Sequence, residues 1–423
     1  MTKPTDRNFR MDVVWVLGSL VVAGLGGVAV NTIIAARMGS SALGVFNQAF
    51  AFYIVLSQLA VGGLQYSVLH QVSRRQDDLD HASRAASSAM MLVGTVSLAV
   101  CLLAWLARGV VGRLLSSPDV ADAIGYMLPG LFAFSLNKLL LNVLSGLRHM
   151  RAYAVFQSLR FVLLLGSIAA LVAMGRPGSH LTIALSVSEL LLFVGLVAYI
   201  RLALFRFQFG GSLAAWYPTH ISYGLRGFLS GVLHELNTRV DILILGFFRD
   251  DATVGIYSFA AILAEGFAQI PLALRTNVDP IIGGHLANQR KPDIEAFSRR
   301  LSQTFFPLML AVGAAAVVVY PFALGWIRVD ASFQASWVVF GILVAGISLN
   351  ARYRPFMGIL LQSGHPGSHT VLVAIVVLSN LILNVALVPA FGAPGSAVAT
   401  GTAFLVEAAL IAILARRMVG VRL

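Results

Sequence analysis

Apolar stretches of membrane-spanning length follow one another along almost the whole chain, separated by short polar or Gly/Pro-bearing breaks. Divided at those breaks, the runs fall at residues 12–36, 42–69, 85–107, 122–146, 152–174, 181–201, 220–248, 253–282, 297–320, 335–361, 368–390 and 395–416. Each is at least about 20 residues, the length a helix needs to cross the hydrocarbon core. The pattern therefore predicts an all-α polytopic membrane protein of about twelve transmembrane helices. The seventh and eighth runs are the least apolar. A signal-peptide core is usually about 7–15 residues. The run from Val13 to Ala36 is longer, so it reads as a first membrane helix that the mature protein keeps.

Composition removes the soluble alternative. The chain is 58% hydrophobic and 11% charged, against roughly 25% charged residues in soluble domains. Twelve helices and short loops leave no room for a separate soluble domain. A net charge of +12 would suggest nucleic acid in a soluble protein. Here the bases are scattered over loops and helix ends, so orientation and anionic lipid explain them and no nucleic-acid partner is expected. With the N-terminus placed in the cytoplasm, that side collects seventeen Lys and Arg and the opposite side six. The bias puts both termini in the cytoplasm. Cys101 is the only cysteine, which excludes an internal disulfide or a cysteine metal cluster. No catalytic group, metal or cofactor is expected.

Thirteen charged residues fall inside the predicted helices. They are Lys138, Arg160, Arg226, Arg239, Arg275, Arg352 and Arg354, with Glu189, Glu235, Asp241, Glu265, Asp279 and Glu407. Each costs at least about 2.5–3.5 kcal/mol at mid-bilayer unless it finds a partner, water or the interface. Glu235 and Arg239 are four residues apart, as are Arg275 and Asp279, and intrahelical pairing is expected for both. Arg226, Ser230, His234, Asn237 and Asp241 form one stripe along the seventh helix. Lipid cannot solvate such a stripe. It faces either a buried interhelical network or a water-filled cavity, and the shortage of acids favours the cavity.

The chain also repeats itself. Gly44-Val45-Phe46 in RMGSSALGVFNQAFAF aligns with Gly255-Ile256-Tyr257 in FRDDATVGIYSFAAI, and Leu144-Ser145-Gly146 resembles Leu361-Gln362-Ser363-Gly364. Two six-helix halves follow, an N-lobe at 1–205 and a C-lobe at 206–423, with a substrate site between them as in many transporters. Three stretches carry a family resemblance: the RMGSSALGVF turn, Asn237 to Gly246 (NTRVDILILG), and Asn380 to Glu407 (NLILNVALVPAFGAPGSAVATGTAFLVE). They resemble the polysaccharide-exporter branch of the multidrug/oligosaccharidyl-lipid/polysaccharide (MOP) superfamily. That resemblance implies a MATE-like fold of two pseudo-symmetric lobes around a central cavity. It also implies flipping of undecaprenyl-diphosphate-linked oligosaccharide to the outer leaflet of the bacterial inner membrane, as in Wzx-type O-antigen flippases, for O-antigen, capsule or exopolysaccharide assembly.

Under this reading a subset of Lys138, Arg160, Arg226, Arg275, Arg352 and Arg354, near the cytoplasmic ends of their helices, captures the diphosphate. Snorkelling to the interface is the alternative for each. Asn237 and Arg239 join them as substrate-binding candidates. Gln58, Gln65, Tyr66, Asn137 and Asn142 are candidates for the sugars, with ordinary interhelical contact as the alternative. No nucleotide-binding motif appears, so ion or proton antiport, or the membrane potential, has to drive transport. Asp241 and His234 are the first coupling candidates, followed by Glu265, Glu407 and Glu189. Membrane lipid, a proton or sodium ion, and a polysaccharide polymerase complex are the candidate partners. The competing functions are an ion-coupled multidrug or cation exporter of the same fold, a polymerase or ligase, and a non-transporting scaffold. The first helix carries no acid, which counts against the cation exporter. No long outer loop carries an acid–base pair, which counts against the enzyme.

Overall fold

A computed structural model of the chain describes residues 6–210 and 213–423, apart from the side chains of residues 6–10, 229, 230, 234 and 237. The expected all-helical architecture is present. The helices are α1 (Asp6–Val61), α2 (Leu64–Arg74), α3 (Leu79–Leu114), α4 (Pro118–Gly146), α5 (Met150–Ala173), α6 (Ile183–Ala203), α7 (Tyr217–Phe248), α8 (Asp251–Ala287), α9 (Lys291–Ile327), α10 (Ser336–Asn350), α11 (Ile359–Gln362) and α12 (Pro366–Leu414).

Among the described residues, nine helical segments are long and apolar enough to cross a membrane. Two of them are hairpins. In α1, Gly39 leaves the helical region (φ 83°, ψ −177°). Asn31 and Asn47, equally distant from it along the chain, are hydrogen-bonded side chain to side chain at 2.8 Å. Sixteen residues of straight helix would hold them about 24 Å apart, so the chain folds back at Gly39. In α12, Gly392 (φ 60°, ψ −133°) does the same, and Ser396 donates to Asn384 Oδ1 at 2.7 Å across that turn. The hairpins raise nine segments to eleven crossings, and α7 makes twelve. Four charged residues, Arg226, Glu235, Arg239 and Asp241, keep α7 below the hydropathy of the others.

Polar residues at the breaks fix where helices begin. The Asp78 carboxylate accepts from His81 N–H to start α3, and Ser117 Oγ accepts from Val120 N–H to start α4. Asp250 caps α8, where the Thr253 hydroxyl and amide N–H hold its carboxyl below the usual aspartate range.

Two compact units emerge. The first comprises Met1–Met38 and Val45–Leu236, the second Gly39–Gly44 and Asn237–Leu423. The division falls inside α7 and not at the expected 205/206. Glycines explain why. Gly63, in the left-handed break between α1 and α2 (φ 75°), is so close to α7 that an added Cβ would stand 2.3 Å from Gly224 O. One turn further, a Cβ at Gly227 would touch the Tyr66 ring, and at Gly231 the Gln58 side chain. Small residues on one face let helices approach closely in the absence of a hydrophobic drive. The first part of α7 therefore packs within the first unit.

In that unit α4 is central and lies against α2, α3, α5 and α6. Its core runs through Val68, Val72, Ala86, Leu139, Leu140, Val143, Leu144 and Leu196. Pro129 interrupts the α4 ladder, and Ser186 of α6 enters the gap. Its hydroxyl donates to Tyr126 O at 2.7 Å and accepts from Gly130 N–H at 2.9 Å. Both backbone groups that the kink frees are satisfied, as hydrocarbon demands. In the second unit α10 holds the corresponding place, packed on α8, α9 and α12. At its crossing with α12 a Cβ on Gly346 would lie 2.8 Å from Gly401 Cα.

The internal repeat is structural. A Cβ on Gly44 would lie 1.7 Å from Asp251 O, and one on Gly255 would lie 1.9 Å from Ser40 O. The contact is reciprocal, as two copies of one motif meeting each other require. The second repeat needs a shift of two residues. His149 N–H bonds to Leu144 O and His365 N–H to Leu360 O, both at 2.8 Å, around the left-handed residues Arg148 and Gly364. Those two residues are the equivalent ones, not Gly146 and Gly364. The sequence match followed glycine, whereas the turn accepts Arg at the same strained position.

Filling the reciprocal contact should destabilise the protein. Gly44→Ala and Gly255→Ala are each expected to cost about 1–3 kcal/mol through overpacking. Gly94→Ala in α3, where nothing lies within 4 Å, should be neutral or slightly stabilising. Thermal unfolding in detergent compares the three. Equal midpoints would refute the close crossing.

Candidate functional site

The first unit carries an open-sided hollow of about 230 Å3 among α1, α2, α4, α5 and α7. Its wall is polar although the surrounding helices are not. From the sequence candidates it collects Gln58, Gln65, Tyr66, Asn142, Lys138 and Arg160. Leu141, Tyr153, Gln157 and Glu235 complete the wall, and sequence reasoning had not assigned these four to a site. Tyr153, Gln157 and Arg160 recur at helical spacing along α5, a signal that could have found the first two.

Partners from neighbouring helices fix the charged groups. Arg160 pairs with Glu189 of α6, Nε to Oε1 at 2.7 Å, with side-chain exposures of 12% and 4%. The Nε contact is electrostatic, since its N–H is not aimed at the carboxylate. The hydrogen bond runs from Nη2 to Oε2 at 3.4 Å. Asn137 donates to the other side of the same carboxylate, Nδ2 to Oε2 at 2.8 Å. Arg160 Nη1 also donates to Gln157 Oε1 at 3.0 Å. Lys138 donates to Ser57 Oγ at 2.9 Å. Lys138 and Arg160 both lie over the Phe134 ring, at 4.8 Å and 4.7 Å from its centroid. Gln58 Nε2 donates to Glu235 Oε1 at 2.9 Å. That bond corrects the expected Glu235–Arg239 pairing. The glycine face of α7 turns Glu235 toward α1, while Arg239 meets Glu265 of α8 at 3.6 Å.

Most other bases are also spoken for. Arg275 and Asp279 pair within α8 at 3.3 Å, as their spacing predicted. Arg354 forms an ion pair with Glu407, whose Oε2 also accepts from Asn350 Nδ2 at 2.6 Å. In each half an Asn on the fourth membrane segment and a Glu on the sixth share an arginine: Asn137 and Glu189 with Arg160 of α5, then Asn350 and Glu407 with Arg354 of the turn that follows α10. Arg226 and Arg352 are exposed, and among the described residues no acid lies within 4 Å of either. Arg352 leans on the Tyr353 ring at 5.2 Å. Asn142 is tied to its own helix through Lys138 O at 2.8 Å.

Asp241 occupies a different setting. Its Oδ2 accepts from the Tyr257 hydroxyl at 2.5 Å and its Oδ1 from Ile242 N–H at 2.8 Å. Tyr257 also meets Ser396 and Thr400, which lead to Asn384 and Asn380. The result is one carboxylate within an oxygen-rich network and no group of three metal-binding side chains among the described residues. The candidates His234 and Asn237, with Ser230 of the expected stripe, have side chains outside the described residues.

This arrangement can bind and release a polar ligand, because it joins charge, amides and phenols in a lipid-embedded hollow. Comparison with known proteins supplies the family. The profile of the family described as polysaccharide biosynthesis protein matches residues 12–269, more than half the chain. The chain belongs to that family. One curated relative of this polysaccharide biosynthesis protein is the probable low-salt glycan biosynthesis flippase Agl15 of Haloferax volcanii. It is 23% identical over 386 residues, which cover 90% of this chain and 77% of the relative. Two solved structures share the fold. The lipid II flippase MurJ, in an inward closed conformation, has a TM-score of 0.78 at 14% identity, covering 96% of this chain and 87% of MurJ. An inward-facing multidrug resistance MATE family transporter of the MOP superfamily has a TM-score of 0.74 at 15% identity, covering 94% of each chain. The resemblance to the polysaccharide branch of the MOP superfamily, drawn from three stretches, is thereby borne out. The chain is a multi-pass membrane protein of the polysaccharide biosynthesis family with the fold of those transporters.

The buried Arg160–Glu189 pair makes a stability prediction. Glu189→Ala strands the guanidinium and should cost about 3–5 kcal/mol. Replacing both partners, as Arg160→Met with Glu189→Leu, should cost clearly less. If the double variant unfolds at or below the temperature of the single one in detergent, the two residues do not act as a pair.

Proposed function

We propose that this protein is a flippase and not an enzyme, carrying undecaprenyl-diphosphate-linked oligosaccharide from the cytoplasmic to the outer leaflet by alternating access. It works in the bacterial inner membrane with both termini in the cytoplasm and serves O-antigen, capsule or exopolysaccharide assembly alongside a polymerase complex. The observation that carries this reading is the polar hollow inside a unit whose outer surface is apolar. Leu98, Leu102 and Leu103 of α3 and Val194 of α6, each more than half exposed, belong to the same unit. Family membership and the glycan-flippase name of the Haloferax relative support the substrate class.

In this mechanism the prenyl tail stays in lipid while the headgroup leaves it. The diphosphate needs cations with charge to give. Arg160, Arg239, Arg275 and Arg354 already face carboxylates, and Lys138 shares its hollow with Glu235. Arg226 and Arg352 are therefore the bases assigned to the diphosphate, since an exposed guanidinium can offer a bidentate fork to phosphate oxygens. A drug or cation exporter would need an acid left free to face the cargo, whereas the acid in this hollow sits beside Lys138 and Arg160.

Transport of lipid-linked oligosaccharide in reconstituted vesicles tests the assignment. Arg226→Glu combined with Arg352→Glu is expected to abolish outer-leaflet delivery while the protein still inserts. Full delivery would overturn it. Reversal of Arg354 is the wrong test, because it would set a glutamate against Glu407.

For coupling we propose Asp241, with a proton or sodium as the driving ion. Among the described residues it has no cation within 4 Å, so protonation or ion binding there breaks no salt bridge. Asp241→Asn keeps the shape and removes the charge. It should make residual transport insensitive to the ion gradient, read as equal rates with and without it. Gradient-dependent transport by the variant would assign coupling elsewhere.

A further inference from the structure

We propose that the hollow of the first unit binds an uncharged sugar ring of the lipid-linked glycan and excludes the diphosphate. The inference rests on the flippase reading and specifies what this one site recognises.

Charge is the first argument. Lys138 and Arg160 bring two positive charges to the wall. Glu235 on the wall and Glu189 immediately behind Arg160 bring two negative ones. The site is formally neutral, and a diphosphate entering it would approach two carboxylates where the surrounding low dielectric magnifies repulsion.

Hydrogen-bond polarity is the second. Phosphate oxygens only accept, whereas a sugar hydroxyl both donates and accepts. The wall offers many acceptors: Glu235, the amide oxygens of Gln58, Gln65 and Gln157, and two phenols. Gln65 is 5% exposed, and its Oε1 is buried without a hydrogen-bond partner among the described residues. A buried acceptor left unpaired is costly, about 1–3 kcal/mol. Turned into the hollow, that oxygen is satisfied by a hydroxyl and not by a phosphate oxygen.

Shape is the third. Drug-sized ligands occupy pockets of roughly 300–1,000 Å3, and this hollow is about 230 Å3. Its volume suits a single ring, and its open side leaves room for the rest of a glycan outside. Tyr66 and Tyr153 supply flat apolar faces with polar tips, suited to a ring with CH groups on its face and hydroxyls at its edge.

The lysines provide the readout. The chain has three, Lys3, Lys138 and Lys291. A variant with Lys3→Arg and Lys291→Arg leaves Lys138 as the one lysine, and intact mass follows its acetylation in detergent. The probes are methyl glycosides of neutral hexoses and N-acetylhexosamines, and inorganic diphosphate matched for ionic strength. At twice its dissociation constant a bound glycoside should slow labelling about threefold, and diphosphate should leave the rate unchanged. If Lys138 is unreactive without a probe, the unfolding temperature of the unmodified protein with the same probes decides, rising with a glycoside and not with diphosphate. Protection by diphosphate, or by none of the glycosides, overturns the proposal. Transport by the same double variant separates this from the broader reading. Normal flipping without glycoside protection removes the sugar site only, whereas glycoside binding with no flipping removes the flippase reading.

Discussion

Hydrocarbon cannot solvate a charge, and the interior of each unit is arranged around that constraint. Glu189 and Glu407 are almost completely buried, each held by an arginine and an asparagine. Such pairs are weak evidence for added stability, since well-packed apolar residues often do as well. What they supply is position. The Arg160–Glu189 pair ties α5 to α6, and Asn137 ties α4 to α6 through the same glutamate. Arg160 is thereby held over Phe134 at the edge of the hollow. Without the carboxylate behind it, a guanidinium there would be driven toward the interface.

Glycine does comparable work where no charge is involved. Gly39 and Gly392 turn two long apolar runs into hairpins. Gly224, Gly227 and Gly231 bring α7 against α1 and α2 and deliver Glu235 to Gln58. A side chain at Gly224 would meet Gly62 O at 2.9 Å and hold α7 off the break between α1 and α2. The site therefore depends on residues that touch no ligand, as well as on those that line the wall.

These dependencies mark what was legible in the sequence. Helices were, because length and hydropathy in a membrane protein are set by bilayer thickness. Gaps at 36–42 and 390–395 were found even where helix runs on almost to the turn. The Arg275–Asp279 pair was legible because both ends lie on one helix. Glu235–Arg239 has the same spacing and failed, because α7 meets two different surfaces at those two positions. Six wall residues were named in advance, yet for separate roles: Lys138 and Arg160 for phosphate, and Gln58, Gln65, Tyr66 and Asn142 for sugar. Only the packing of α5 against α4 puts both sets around one space. Asn137 and Glu189 are 52 residues apart, a distance over which a single sequence carries no pairing signal. The polar stripe of α7 drew attention from its glycine face, which was equally visible.

The same accounting of partners separates the six intramembrane acids. Glu189, Glu265, Asp279 and Glu407 are each within 4 Å of a guanidinium. Removing the charge from any of them would leave a base behind without its counter-charge. Glu235 accepts from Gln58 and shares a hollow with two bases. Asp241 is held by a phenol and a backbone N–H, with hydroxyls and amides beyond. Neutral donors can turn to suit either a carboxylate or a carboxylic acid, and their oxygens can face a small cation. A coupling group has to exchange its ion in every cycle, so it belongs where loading strands no charge. The coupling proposed for Asp241 rests on that difference among the acids. The helix α7 thus carries a packing face within the first unit and a carboxylate within the second.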